Sequence, residues 1–191
     1  IPARWGSTRF PGKSLAMLGG KPVVRRVYER VCSAKRLAMV AVATDDDRIR
    51  DAVEKFGGKC VMTRADHPSG TDRVAEAANA MDADVVVNIQ GDEPFIDPLV
   101  IDELAAVMAA EPDWDMGTAA VPIESANDLQ DPSVVKVVWG LDRRAVYFSR
   151  SVIPFDRDRE YSVPGPVYWR HVGIYAYTRA FLKKLVATPP C

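Results

Sequence analysis

Apolar residues recur along the chain in two alternating rhythms, one helical and one strand-like. From Pro22, the residues Val23, Val24, Val27, Tyr28 and Val31 fall on one helical face, with Arg25, Arg26, Glu29 and Arg30 opposite. Pro22 suits a first helical turn, where its missing N–H costs nothing. The apolar run at 39–44 reads as a buried strand. Asp45 or Asp46 then caps a helix carrying Ile49, Val53 and Phe56, closed by Gly57 and Gly58. Residues 59–62 form the next strand, and 71–81 a helix through Val74, Ala78 and Met81. The stretch 84–89 is the most strand-like of all, and a helix from about 98 to 110 turns Val100, Leu104, Val107 and Met108 inward.

Strand–helix–strand alternation with buried strands predicts an α/β fold on a parallel sheet. After residue 112 the rhythm changes. Strands are expected at 116–123, 134–139, 145–149 and 171–178 with no long helix between them. That pattern predicts antiparallel pairing in a β-rich extension within about 124–170, serving a lid or a dimer contact. Residues 154–168, rich in Pro, Arg and Asp, read as a long loop. At 191 residues a single domain is expected. Ile1 reads as the end of a strand that starts earlier, and no closing element is read before 189–191, so a longer parent protein is expected.

Charge adds a local contrast to this frame. The totals nearly balance, 25 Lys and Arg against 26 Asp and Glu, which argues against a surface built to grip nucleic acid or anionic membrane. No apolar run approaches the roughly 18 residues of a membrane span. Three widely spaced cysteines give neither a disulfide framework nor a CxxC metal site, so a reducing cytoplasm is the expected setting. Yet the first 28 residues hold six cations and no acid. Arg25, Arg26 and Lys21 suit a solvated helix face. Arg4, Arg9 and Lys13 lie instead in a loop with Ser7, Gly6 and Gly12, a composition that suits a polyphosphate.

In open α/β sheets, ligands bind beyond the carboxyl ends of the strands. The loop at 2–14, the pair Thr44-Asp45 and the turn Gln90-Gly91-Asp92-Glu93-Pro94 should all meet there. Asp92 on its glycine turn suits one Mg²⁺, which takes one or two protein carboxylates and fills the rest of its shell with phosphate and water oxygens. Competing readings stay open. Taken singly, Arg4 and Arg9 are ordinary surface cations. Asp92 and Glu93 suit capping of the helix that follows, and for Asp45 capping is the better reading. Five residues separate Gly6 from Gly12, so the loop is not a Walker A motif, and no G-x-G-x-x-G occurs.

The segments Ile1-Pro-Ala-Arg-Trp-Gly-Ser-Thr-Arg-Phe-Pro-Gly-Lys13, Gln90-Gly-Asp-Glu-Pro94, Tyr147-Phe-Ser-Arg-Ser-Val-Ile-Pro154 and Arg170-His-Val-Gly-Ile-Tyr-Ala-Tyr177 resemble the sugar cytidylyltransferases. The last segment points to the branch acting on 3-deoxy-manno-octulosonate (KDO). The resemblance implies a Rossmann-like nucleotide-binding sheet, mostly parallel and flanked by helices, with a small antiparallel β dimerisation extension. It implies CTP and KDO as substrates, Mg²⁺ as cofactor and a homodimer. By the same resemblance Arg4, Ser7, Arg9 and Lys13 hold the triphosphate and Asp92 the metal. Gln90, Arg150, His171 and Tyr175 contact the sugar, and further contacts with a second acidic metal ligand follow beyond residue 191. Trp5 and Phe10 depart from the family's usual Tyr and Leu, both apolar exchanges. The rival readings are a cytidylyltransferase for sialic acid or amino-KDO, and a silent nucleotide-binding protein on the same fold.

Overall fold

The computed structural model describes residues 1–6, 10–157 and 168–189. The chain divides into two compact units, one of Ile1–Gly117 with the residues from Ile174 onward, the other of Thr118–Gly173.

The first unit opens with Pro2 in an isolated parallel bridge to Ala43, outside any strand. A short 3₁₀ turn (Lys13–Leu15) leads to the hairpin β1 (Met17–Leu18) and β2 (Lys21–Pro22). Helix α1 (Val23–Val31) buries Val24, Val27 and Val31 and sets an Arg25–Glu29 ion pair on its outer face. β3 (Val42–Thr44) pairs in parallel with β4 (Cys60–Met62), Val42 opposite Cys60. This strand is shorter than the apolar run at 39–44 implies, because its ladder to β4 begins at Val42 and Met39 is exposed.

Helix starts follow side-chain capping closely. α2 (Asp47–Lys55) is capped by Asp46, whose carboxylate accepts from the Arg48 N–H at 3.0 Å. The Arg48 guanidinium on the same carboxylate holds its pKa below the usual range. α3 (Gly70–Asn79) is capped by Ser69, and α4 (Pro98–Ala110) by Asp97 with Pro98 in its first turn. Capping of α2 by Asp45 is therefore corrected: the adjacent Asp46 does it, and Asp45 turns to a buried arginine described below.

β5 (Val85–Ile89) runs antiparallel to the far half of β9 (Trp169–Thr178), Val85 opposite Thr178 and Ile89 opposite Ile174. β6 (Met116–Pro122) also pairs with β9. The first unit ends in α6 (Arg179–Ala187). Leu182 of this helix packs with Val74, Ala75, Ala78 and Tyr177, and Phe181, Leu185 and Val186 flank them. The sequence reading leaves these residues without an element, although Phe181, Leu182, Leu185 and Val186 carry a helical period.

The second unit holds α5 (Ala126–Gln130), β7 (Lys136–Trp139) and β8 (Ala145–Ser149). β7 and β8 pair antiparallel, with an irregularity at Val138/Trp139. β7 also meets β9, Lys136 opposite Arg170. Ile123, Leu129 and Tyr168 form its small core. β8 has little cover: Val146 is 72% exposed, and Tyr147, Phe148 and nearby Leu141 are also exposed. The expected loop at 154–168 falls mostly on residues outside those described. Among the described residues no helix is long and apolar enough to cross a membrane.

Candidate active site

Two sequence segments far apart meet in the first unit. Gly12 adopts φ +71°, a left-handed conformation that glycine supplies without strain. Its N–H donates to the Trp5 carbonyl at 2.9 Å, closing the loop. A Cβ at Gly12 would lie 2.9 Å from the Trp5 ring, and the Arg48 guanidinium covers that indole at 3.5 Å from the ring centroid. The closed loop delivers Lys13 at the start of the 3₁₀ turn. Its ammonium reaches Asp92 Oδ2 at 2.7 Å, with both side chains close to half exposed.

Asp92 follows β5 on a tight turn in which Glu93 N–H donates to Gln90 O at 3.2 Å. The turn lies hard against the opening segment: a Cβ on Gly91 would stand 2.6 Å from the Pro2 carbonyl oxygen. Asp97, with its carboxylate 3.0 Å from the Leu99 N–H, supplies the cap of α4. Capping by Asp92 or Glu93 is thereby displaced, and Asp92 is left for charge.

Arg4 and Gln90 line one cavity of about 340 Å³, shared with His67, Ser69, Gly70 and Arg73. Arg73 is buried, donating to Thr63 Oγ1 at 2.6 Å and pairing with Asp45 Oδ2 at 3.2 Å. His67 Nε2 is held by the Glu76 carboxylate. Sequence reasoning missed this wall. Its signal was present in the small, polar run Ser69-Gly70-Thr71-Asp72-Arg73, which brings a cap, a bare backbone and a guanidinium together within one turn.

The remaining predicted residues are distributed as follows. Tyr175, in the first unit, stacks on Tyr177 with ring centroids 6.3 Å apart, and burial raises both phenols above their ordinary pKa. Arg150 and His171 belong to the second unit. Arg150 Nη1–H donates to the Pro132 carbonyl at 2.8 Å. His171 Nε2 lies 2.9 Å from Thr118 Oγ1, its ring meets Phe148 edge-on, and burial lowers its pKa. Ser7 and Arg9 lie outside the described residues. Among those described, no group of three His, Cys, Asp or Glu side chains comes together as a metal cage. A lone carboxylate beside a cationic loop fits a Mg²⁺ whose shell is completed by phosphate and water.

Comparison with known proteins defines the class. The family model described as Cytidylyltransferase matches residues 1–191. The chain belongs to the cytidylyltransferase family and is a nucleotidyltransferase. It is 48% identical over 197 residues to a 3-deoxy-manno-octulosonate cytidylyltransferase of Geobacter sulfurreducens, covering 100% of this chain and 79% of that one. It is 50% identical over 194 residues to an 8-amino-3,8-dideoxy-manno-octulosonate cytidylyltransferase of Shewanella amazonensis, covering 99% and 77%. A solved structure of CMP:2-keto-3-deoxy-manno-octonic acid synthetase complexed with CTP superposes with a TM-score of 0.91 at 45% identity, covering 100% of this chain and 77% of that one.

Proposed function

We propose that the protein transfers CMP from CTP to KDO, releasing pyrophosphate. The observation that carries this reading is the contact of Lys13 with Asp92, 2.7 Å apart and 79 residues distant in sequence. It joins two of the four segments that carry the family resemblance, in a chain about half identical to KDO-directed relatives. The sugar's anomeric hydroxyl attacks the α-phosphorus. A new O–P bond forms, the bond to the bridging α,β-oxygen breaks, pyrophosphate leaves with the electron pair, and the hydroxyl proton passes to solvent. Such a reaction asks the protein mainly for positioning and charge neutralisation.

Arg4, Ser7, Arg9 and Lys13 neutralise and orient the triphosphate. The cavity bounded by Arg4, Gln90, Ser69 and Arg73 accommodates the nucleoside end. Asp92 holds Mg²⁺, which supplies Lewis-acid polarisation of the phosphate when bound. Gln90, Arg150, His171 and Tyr175 recognise the sugar acid. Arg150 suits its carboxylate, since a guanidinium can bind it through two parallel hydrogen bonds. The exposed apolar side chains of β8, Val146, Tyr147 and Phe148, support a homodimer contact in the β-rich extension of a single catalytic domain. The setting is cytoplasmic, and the product serves lipopolysaccharide assembly.

The deciding experiment incubates the protein with CTP, Mg²⁺ and, separately, KDO, 8-amino-KDO and N-acetylneuraminate, with pyrophosphate and the CMP-sugar followed by mass. KDO is expected to give the highest kcat/KM. A preference for the amino sugar or for sialic acid moves the protein to that branch. Binding of CTP without turnover of any sugar would make it a silent nucleotide-binding protein.

A further inference from the structure

The run Val134-Val135-Lys136-Val137-Val138 places one lysine among four valines. Lys136 is fully buried, with 0% of its surface exposed. A buried ammonium is costly to desolvate, and an apolar side chain of similar length would fill the same volume without that cost. The amine is therefore retained for what it bonds. Its three N–H groups meet three backbone carbonyls: Asp131 at 2.7 Å, Val134 at 2.9 Å and Arg150 at 3.3 Å. Three donors and three acceptors leave the ammonium saturated.

The partners give this knot its meaning. Two of the carbonyls flank Pro132, whose own carbonyl accepts the Arg150 guanidinium at 2.8 Å. Arg150 is thus tied to one short turn twice, through Lys136 at its backbone and directly at its side chain. On the other side of the same strand, the Val135 carbonyl accepts the His171 N–H at 2.8 Å, and Lys136 stands opposite Arg170. Lys136 also stands opposite Ser149, the residue before Arg150. Lys136 thus occupies the strand between the two second-unit residues assigned to the sugar acid, bonded to one and adjacent in register to the other.

We propose that Lys136 is a positioning residue for sugar-acid recognition: its buried ammonium ties the turn at 131–134 to Arg150 and so sets the Arg150 guanidinium and the neighbouring His171 for the substrate. The proposal rests on the assignment of Arg150 and His171 to the sugar. It distinguishes Lys136 from a residue that only stabilises the fold, since the nucleotide-side groups Arg4, Lys13 and Asp92 belong to the other compact unit.

The test compares wild type with Lys136→Met, which keeps the length and removes every donor, and Lys136→Gln, which keeps two. In Lys136→Met the KM for KDO is expected to rise by about tenfold or more while the KM for CTP stays within about twofold, with Lys136→Gln between Met and wild type. Equal changes for both substrates, or lowered kcat with both KM values intact, would overturn the proposal and leave Lys136 a fold residue. Should Lys136→Met not fold, Lys136→Gln is judged on the same split. A second readout needs no sugar. In ¹⁵N spectra the Arg150 side chain and the amides of Asp131, Ser133, Val134 and His171 should shift in either variant, while those of Val86 and Asn88 stay in place. Unmoved Arg150 and His171 signals overturn the proposal even if wild type turns over a different sugar, an outcome that would count against the KDO assignment alone.

Discussion

Lys13 and Lys136 are the same side chain put to opposite uses in the two units. Lys13 is near half exposed and pairs with one carboxylate, a contact that solvent screens and that is weak by nature. Such a pair can exchange partners when a triphosphate arrives. Lys136 is sealed, bonded to carbonyls that cannot leave, and burial lowers its pKa against the opposing pull of Asp131. One ammonium is held ready to move, the other fixed so that its neighbours do not move. A lysine's role in this chain is read from its exposure and from whether its acceptors are free to change.

The comparison is broken most directly at the exposed pair. Asp92→Asn should reduce kcat by about 100-fold or more at saturating Mg²⁺, with thermal unfolding nearly unchanged, because the lost charge faces ligand rather than core. Near-normal kcat would remove Asp92 from any metal role and return Lys13–Asp92 to an ordinary surface ion pair. A smaller effect sharpens the same contrast. Lys13→Ala should raise the Kd for CTP, measured by calorimetry, by about tenfold, since one strong phosphate contact is lost. Arg25→Ala, on the outer face of α1, should alter it by less than about twofold. Similar losses for both would mean that the N-terminal cations act as a diffuse field rather than a built loop.

The smallest effect concerns pH and belongs to the second unit. Burial lowers the pKa of His171 from the ordinary 6.5, so the unfolded chain takes up this proton more readily than the folded one. The stability contributed by neutral His171 is therefore complete above about pH 6.5 and is lost as pH falls through the lower folded pKa. Melting curves of wild type and His171→Gln should converge as pH drops from 7.5 to about 5. A constant separation would show that the imidazole carries no pH-dependent share of stability.

Much of this was legible from residue order. α4 occupies 98–110 as its period predicts, and the charges at Lys13 and Asp92 meet as their loops suggest. What stayed hidden has physical causes. Capping is decided by backbone geometry at a single residue, so Asp45 and Asp46 look alike until one N–H is placed. The cavity wall at 67–73 combines a histidine, a cap and a buried arginine, each ordinary alone. Lys136 is the hardest case. A lysine between valines reads as a strand's solvent face, and only three converging carbonyls, one of them 14 residues away, reveal that it points into the protein. α6 was missed for a different reason, since its apolar face becomes meaningful only once Val74 and Ala78 of α3 are beside it.

The closeness of Gly91 to the Pro2 carbonyl has a consequence for the gene as well as for the enzyme. With 2.6 Å between a notional Cβ and a backbone oxygen, no neighbouring side chain can rotate away to admit even alanine. In a saturation library selected for activity, position 91 should therefore survive only as glycine codons, whereas position 93, exposed to solvent, should accept many. The turn that carries Asp92 would then drift only at its rim, and the spacing between the opening segment and the acidic turn would be among the slowest features of this chain to change.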